Sequence, residues 1–386
     1  MTRPRRLRAA LVLLLAASAL VVRPIAAADS LPSSLSGPDF WRLIDSLSEA
    51  GGQFQSDNLL SNETGFQGVL PGLAKTVAPG GVYMGVGPEQ NFTYIAALKP
   101  KMAFITDIRR QNMVEHLLYQ VLFQSSADRV EFVSRLFSRP RPAGLSAASS
   151  VDELFAAFGA VAADASLFSR NLAEVRASFA TQGYQLTDED QAGLERVYAA
   201  FRDAGPGLSY NFNAGGGGRR GGGMPTYADL MTSRDPEGQP RSYLASEAAY
   251  ALLRDLETRR LIVPITGDFG GPKALRAVGQ YVRDHQAIVT AFYTSNVEQY
   301  LFQGADSRGN VNGGGENFYA NVATLPLDAS SMFIRSGNAG GRGLNVGRGF
   351  VGGLGRMNVF ASIQETLAAV KDGRVRTYGD LFLLSR

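Results

Sequence analysis

Between residues 81 and 123 the chain alternates in an order that few folds accommodate. Residues 81–87 are a short apolar strand with glycine at 81, 85 and 87. Pro88-Glu89-Gln90-Asn91 then opens a helix to about Leu98, with proline and an acid where a helix N-terminus favours them. Residues 102–106 form a second buried strand ending in Asp107. A helix over 109–123 follows, with Met113, Leu117, Leu118 and Val121 at helical spacing. Strand, turn, helix, strand, acid, helix is a βαβ unit, which requires a parallel sheet covered by helices. The same order returns after residue 260, with strands at 261–265, 287–292 and 331–335 and helices at 273–283 and from 297. The fold class is therefore α/β.

Between these halves the pattern is helical and interrupted. Helices are expected at 128–137, 151–158, 167–179, 188–201 and 246–256. The divisions are a leader over 1–28, a first part of the core domain over 29–124, a helical insertion over 125–260, and a second part over 261–386. Residues 205–223 and 337–355 are glycine-rich, nine of the nineteen in the second run being glycine, and both read as loops. Thr226-Tyr227-Ala228-Asp229 and Thr377-Tyr378-Gly379-Asp380 repeat one Thr-x-x-Asp helix start rather than a true duplication.

Arg3, Arg5, Arg6 and Arg8, an apolar run over 9–22 and small residues Ala26-Ala27-Ala28 read as a cleavable signal peptide. The run falls short of the roughly 20 residues that span a bilayer, and it is too uniformly apolar for an amphipathic transit peptide. The expected location is exported, periplasmic or secreted, with no membrane attachment after cleavage. Five arginines precede Asp29, so the remainder carries 33 basic against 35 acidic residues. That near-neutral balance argues against a nucleic-acid partner. Cysteine is absent and histidine occurs twice, which excludes disulfides, thiolate chemistry and multi-histidine metal sites. No metal is expected, and no G-x-S-x-G elbow supports a serine triad.

Ligands of parallel sheets gather at the carboxyl ends of the strands. The residues there are Gly85, Gly87, Asp107, Asp268 and the run Tyr293-Thr294-Ser295-Asn296. Asp107 stands 20 residues after Gly87, where a strand-end carboxylate can accept ribose hydroxyls. It is equally placed to cap the helix that starts near Arg109, and Asp268 to shape its own Gly-Asp-Phe-Gly-Gly-Pro turn. Asn62 and Glu63, in a polar loop before the first strand, either reach the pocket or hold that loop. Glu89 at a helix start disfavours phosphate, so a ribose-bearing ligand without phosphate fits better than a dinucleotide. His116 and His285 stand in separate segments and read as packing residues. The sequons at Asn62 and Asn91 read as coincidence.

In this order of features the chain resembles the class I S-adenosylmethionine-dependent methyltransferases over roughly residues 60–110 and 260–336. The resemblance rests on the glycine loop after the first strand, Asp107 after the second, Gly267-Asp268 after the third, and Asn296-Val297-Glu298-Gln299-Tyr300-Leu301 after the fourth. Tyr83 stands where that family has an acid, and Gln90 replaces the third glycine. The resemblance implies a Rossmann-like, doubly wound and mostly parallel sheet, with the helical insertion between core strands 2 and 3. It implies S-adenosylmethionine, or a similar nucleoside ligand, as cofactor. Gly85 and Gly87 would border its methionine part, Asp107 its ribose and Asp268 its adenine, while Asn62 and Glu63 join them as cofactor-binding candidates. Tyr293 and Asn296 are the catalytic candidates, with Glu298 as a further base. The expected activity is methyl transfer to an unknown substrate, with a small molecule as the expected ligand. The rival is a non-catalytic exported binding or scaffold protein that keeps the fold without the donor site. Oligomeric state is left open.

Overall fold

The computed structural model describes residues 29–54, 58–210, 224–302, 314–338 and 356–385. The leader at 1–28 and most of both glycine-rich runs lie outside the described residues. Two helices, α1 (Gly37–Leu47) and α2 (Leu70–Thr76), precede the sheet. The βαβ unit follows as β1 (Val82–Gly85), α3 (Gln90–Leu98), β2 (Met102–Asp107) and α4 (Arg110–Ser125). The insertion comprises α5 (Arg129–Leu136), α6 (Val151–Ala160), α7 (Ala165–Gln182), α8 (Asp188–Ala204), α9 (Tyr227–Thr232) and α10 (Glu247–Thr258). The chain then returns to the sheet through β3 (Ile262–Thr266), α11 (Ala274–Asp284), β4 (Val289–Ser295), α12 (Val297–Phe302), α13 (Gly314–Val322), β5 (Met332–Asn338) and β6 (Arg356–Ser362). It ends in α14 (Ile363–Lys371) and α15 (Tyr378–Leu383).

The strands form one sheet in the order β3-β2-β1-β4-β5-β6. The first five are parallel, and β6 runs antiparallel to β5. Every residue of β1, β2 and β3 is buried, as expected where helices cover both faces of a parallel sheet. The expected α/β, Rossmann-like architecture with helices inserted between the second and third strands is what the chain adopts. The order reverses direction between β1 and β4, which opens a crevice at their carboxyl ends.

The sequence missed β6. The sequence alone reads as a final helix over about Ala361–Val370, but 356–362 continue as a strand and the helix starts only where Ser362 accepts a hydrogen bond from the Glu365 amide. The strand lies between a glycine-dense stretch and a helix, and its register comes only from its partner, with Ile334 opposite Phe360. The inserted helices were legible because their ends carry their own chemistry. Thr187 and Asp190, Thr226 and Asp229, and Thr377 and Asp380 all close capping boxes, so the two Thr-Tyr-x-Asp runs are the same device used twice.

Candidate functional site

A cavity of about 420 Å³ lies at the carboxyl ends of β1, β2 and β4. Its wall includes Asn62, Glu63, Gly87, Asp107, Asp268, Tyr293 and Asn296, so seven of the nine sequence candidates share one cleft. Gly85 and Glu298 stand outside it. Gly85 sits inside β1, where a Cβ would lie 1.9 Å from Asn91 Oδ1, so its glycine serves close packing of the sheet against α3. Gly87 differs: its φ is +76° and nothing stands within 4 Å of where a Cβ would be. The turn between β1 and α3 thus needs glycine for backbone conformation, and it leaves room on the cleft side.

Asn91, marked in the sequence only as a sequon at a helix start, fastens this turn. Its amide donates to the carbonyls of Val86 at 2.9 Å, Gly87 at 3.1 Å and Pro88 at 2.7 Å, while Oδ1 accepts from the Tyr83 hydroxyl at 2.9 Å. Buried and fully engaged, Asn91 is no glycan acceptor in the fold. Glu89 does not face the cleft. It is fully buried, so the repulsion of phosphate expected from it at the helix start does not reach the cleft. Burial pushes its carboxyl up to about 8, and the nearby Glu63 charge adds to this while the amides of Glu89 and Ser61 oppose it.

Asp107 ends β2 and is held by a residue two positions on. Its Oδ1 accepts from the Arg109 amide at 2.8 Å and from Nε at 3.1 Å, and its Oδ2 accepts from the guanidinium at 3.0 Å. It therefore does not cap α4, whose first flanking residue, Arg109, makes no side-chain cap. Burial pulls the Arg109 guanidinium down, but the Asp107 charge outweighs it and the pKa is raised. Asp268 uses Oδ1 to accept from the Gly270 amide at 2.9 Å, which makes it a turn former, and its own amide donates to Glu49 at 3.1 Å. It still lines the cleft.

Glu63 is the hub of the far wall. Oε1 accepts from the Tyr293 hydroxyl at 2.9 Å and from Ser295 Oγ; Oε2 accepts from Gln90 at 2.7 Å and Asn358 at 2.5 Å. A carboxylate has about four lone-pair positions, and here all are used by protein donors. Residues 293 and 295 share a face of β4, and a register shift between them with φ +51° at Ser295 turns both onto Glu63. Burial drives the Tyr293 hydroxyl well above its usual range, with Glu63 adding to the effect. Tyr293 is thus a fixed donor rather than a base. Glu298 stands outside the cleft, where it takes Arg335 at 2.7 and 3.1 Å, Tyr319 at 2.6 Å and Thr294 at 3.1 Å. Asn296 remains at the rim with its backbone carbonyl bonded to the Gln299 amide.

Phe54, Ile108, Phe269, Tyr300 and Leu301 supply apolar walls, with Phe54 and Tyr300 edge to face at 5.2 Å. Among the described residues no group of three or more His, Cys, Asp or Glu has the geometry to hold a metal ion. His116 meets the Gly87 carbonyl at 2.9 Å and His285 the Tyr281 carbonyl, so they form no pair. Among the described residues no helix is long and apolar enough to cross a membrane.

A family model described as a domain of unknown function, DUF7790, matches residues 59–147 and 153–349, and the chain belongs to that family. No curated protein matches the sequence. Among solved structures the rRNA methyltransferase AviRa from Streptomyces viridochromogenes is similar, at 11% identity and a TM-score of 0.30, over 78% of this chain and 84% of that one.

Proposed function

We propose that this member of the DUF7790 family binds S-adenosylmethionine, or a closely related nucleoside, in the cleft between β1 and β4 and transfers its methyl group to a small acceptor. The observation that carries the reading is the convergence of Gly87, Asp107 and Asp268 on one cavity at the point where strand order reverses. Two features test the fit. Gly87 leaves open space where a side chain would stand, and the carboxylates of Asp107 and Asp268 each keep capacity to accept a further donor. Asp107 can take one ribose hydroxyl without releasing Arg109, and Asp268 can take an exocyclic amine. Bound there, the group would supply a methyl on a positively charged sulfur. The chain's part is alignment: Tyr293 and Ser295, fixed on Glu63, hold one wall still, and Asn296 offers an amide to the acceptor.

One observation favours a second reading. Tyr293 and Glu298 are both committed to buried partners, which leaves the site without an evident base for an acceptor that must lose a proton. A non-catalytic binding protein on the same fold accounts for this. For either reading we propose export, with 1–28 removed before Asp29, a small-molecule ligand, and neither nucleic acid nor membrane as partner. Recovery of the chain outside the cytoplasm with Asp29 as first residue tests the export.

Calorimetric titration of the purified chain with S-adenosylmethionine and S-adenosylhomocysteine tests the pocket. Micromolar binding, weakened about tenfold or more by Asp268→Ala (some 1.4 kcal/mol per decade) with the melting temperature kept, is the expected result. No heat and no thermal shift at millimolar ligand sinks it.

A further inference from the structure

The buried ring of His116, midway along α4, sets its Nε2 2.9 Å from the Gly87 carbonyl. A carbonyl oxygen only accepts, so Nε2 carries the hydrogen. Burial pulls the ring down to about 4, which leaves it neutral at ordinary pH with that single N–H. Nδ1 is then a bare acceptor, and it has no hydrogen-bond partner. An apolar side chain on this helix face would escape the cost of that buried nitrogen. What the imidazole supplies instead is a direction for one carbonyl.

That carbonyl belongs to the turn on which the cleft is built. Gly87 lines the cleft, has φ +76° and leaves open space where a Cβ would be. Glycine reaches other backbone conformations about as readily, so the turn does not keep its own shape. Two side chains hold the Gly87 oxygen: Asn91 of α3 at 3.1 Å and His116 of α4 at 2.9 Å. Asn91 moves with the turn, since it stands on the helix that follows directly. His116 does not. It comes 29 residues later, on a helix packed against β3, α8 and α10 and tied to α8 by Arg110 and Asp190 at 2.7 and 2.8 Å. Phe92, edge to face at 5.5 Å, and Tyr119 at 6.3 Å hold the imidazole in place. Neither Asn91 nor His116 lines the cleft, so a ligand there meets Gly87 and not the groups that fix it.

We propose that His116 is a positioning residue for the cleft: its Nε2–H holds the Gly87 carbonyl toward α4 and so keeps the turn in the conformation that receives the ligand. Its bearing on affinity rests on the nucleoside cleft proposed above. A turn already held in shape spares the bound state the entropy of ordering it, so the contact acts on binding. Arg109, the residue before α4, fixes the Asp107 carboxylate in the same manner at 3.0 Å. Two walls of the cleft are thus set from one helix, which the inserted helices brace from behind.

Glutamine places its amide nitrogen as many bonds from Cα as the histidine Nε2, whereas asparagine falls one bond short. The test is calorimetric titration with S-adenosylmethionine of the purified chain and of His116→Gln, His116→Asn and His116→Leu. His116→Gln is expected to bind within about twofold of the unaltered chain, and the other two about tenfold or more weakly. Binding by His116→Asn as tight as by His116→Gln overturns the positioning role. Nitrogen-15 spectra of the unaltered chain need no variant to fold: a proton on Nε2 and none on Nδ1 supports it, and a proton on Nδ1 refutes it. Absence of binding by the unaltered chain is a failure of the nucleoside reading, and crystal structures of the variants then decide this one. A Gly87 carbonyl turned away from α4 in His116→Asn but kept in His116→Gln supports the positioning role, and one unmoved in both refutes it.

Discussion

Asn358 donates its side-chain amide to Glu63 at 2.5 Å, which joins β6 to a loop 295 residues earlier in the chain. Through that carboxylate the loop, α3, the end of β4 and β6 are tied at one buried point beside the cleft. A glutamine in its place has one acceptor oxygen for four donors, so at least two buried donors lose their partner. Glu63→Gln is expected to lower stability by on the order of 3 kcal/mol in chemical denaturation. A loss below about 1 kcal/mol would mean that the four donors find other partners.

Gly85 and Gly87 separate by substitution to alanine. At Gly87 the cost is backbone strain alone, about 1–2 kcal/mol, because the space is open. The new methyl group enters the cleft, so nucleoside binding is expected to weaken about tenfold, or 1.4 kcal/mol. At Gly85 the methyl meets Asn91 Oδ1 at 1.9 Å, and the turn that Asn91 fastens must shift. Gly85→Ala should therefore cost more stability than Gly87→Ala. Thermal melts of the two proteins check the order, and the reverse order would contradict the packing described.

The sheet was legible because each parallel strand is a short apolar run followed by a turn and a helix start, a local signal repeated along the chain. The strand-end rule placed Gly87, Asp107, Asp268, Tyr293 and Asn296 at the cleft from position alone. What it could not supply was how each side chain spends its hydrogen bonds. Asp107 turns to Arg109, Asp268 to Gly270 and Glu63 to four donors, and those choices depend on neighbours brought together only by folding. Asn358 and β6 were hidden for the same reason, since their partners are distant and the preceding stretch is glycine-dense. Asn91 was visible only as a sequon, and its role in the turn appears once Val86, Gly87 and Pro88 curve around it.

Arg335 and Glu298 are both fully buried and bonded at 2.7 and 3.1 Å, with the guanidinium 4.2 Å from the Phe333 ring centre. Removing one partner strands the other charge inside the protein. Arg335→Met is expected to cost about 3–5 kcal/mol in denaturant unfolding. Adding Glu298→Gln removes the stranded charge and should restore a large part of that loss. A double replacement as unstable as the single one would show that packing around Arg335, rather than its charge, is what the fold needs.

Glu89 and His116 give stability a pH dependence whose sign can be worked out. Burial raises Glu89 to about 8 from an ordinary 4.5, so between those values the folded state holds a proton that the unfolded state has lost. Its contribution is full below pH 4.5 and disappears as pH rises through 8. Burial lowers His116 to about 4 from 6.5, so its term runs the other way, growing as pH rises from 4 to 6.5 and flat above. The two oppose each other below 6.5, and above it the losses of the buried acids Glu89, Glu115 and Glu257 remain. Unfolding free energy should therefore fall between pH 6.5 and 8 by up to about 1.4 kcal/mol per unit for each acid that stays protonated in the folded state. Glu89→Gln should remove its own share of that slope and leave the rest. Denaturation curves at pH 6.5, 7.2 and 8 measure it, and a flat profile in the unaltered chain would mean that Glu89 is already ionised in the fold.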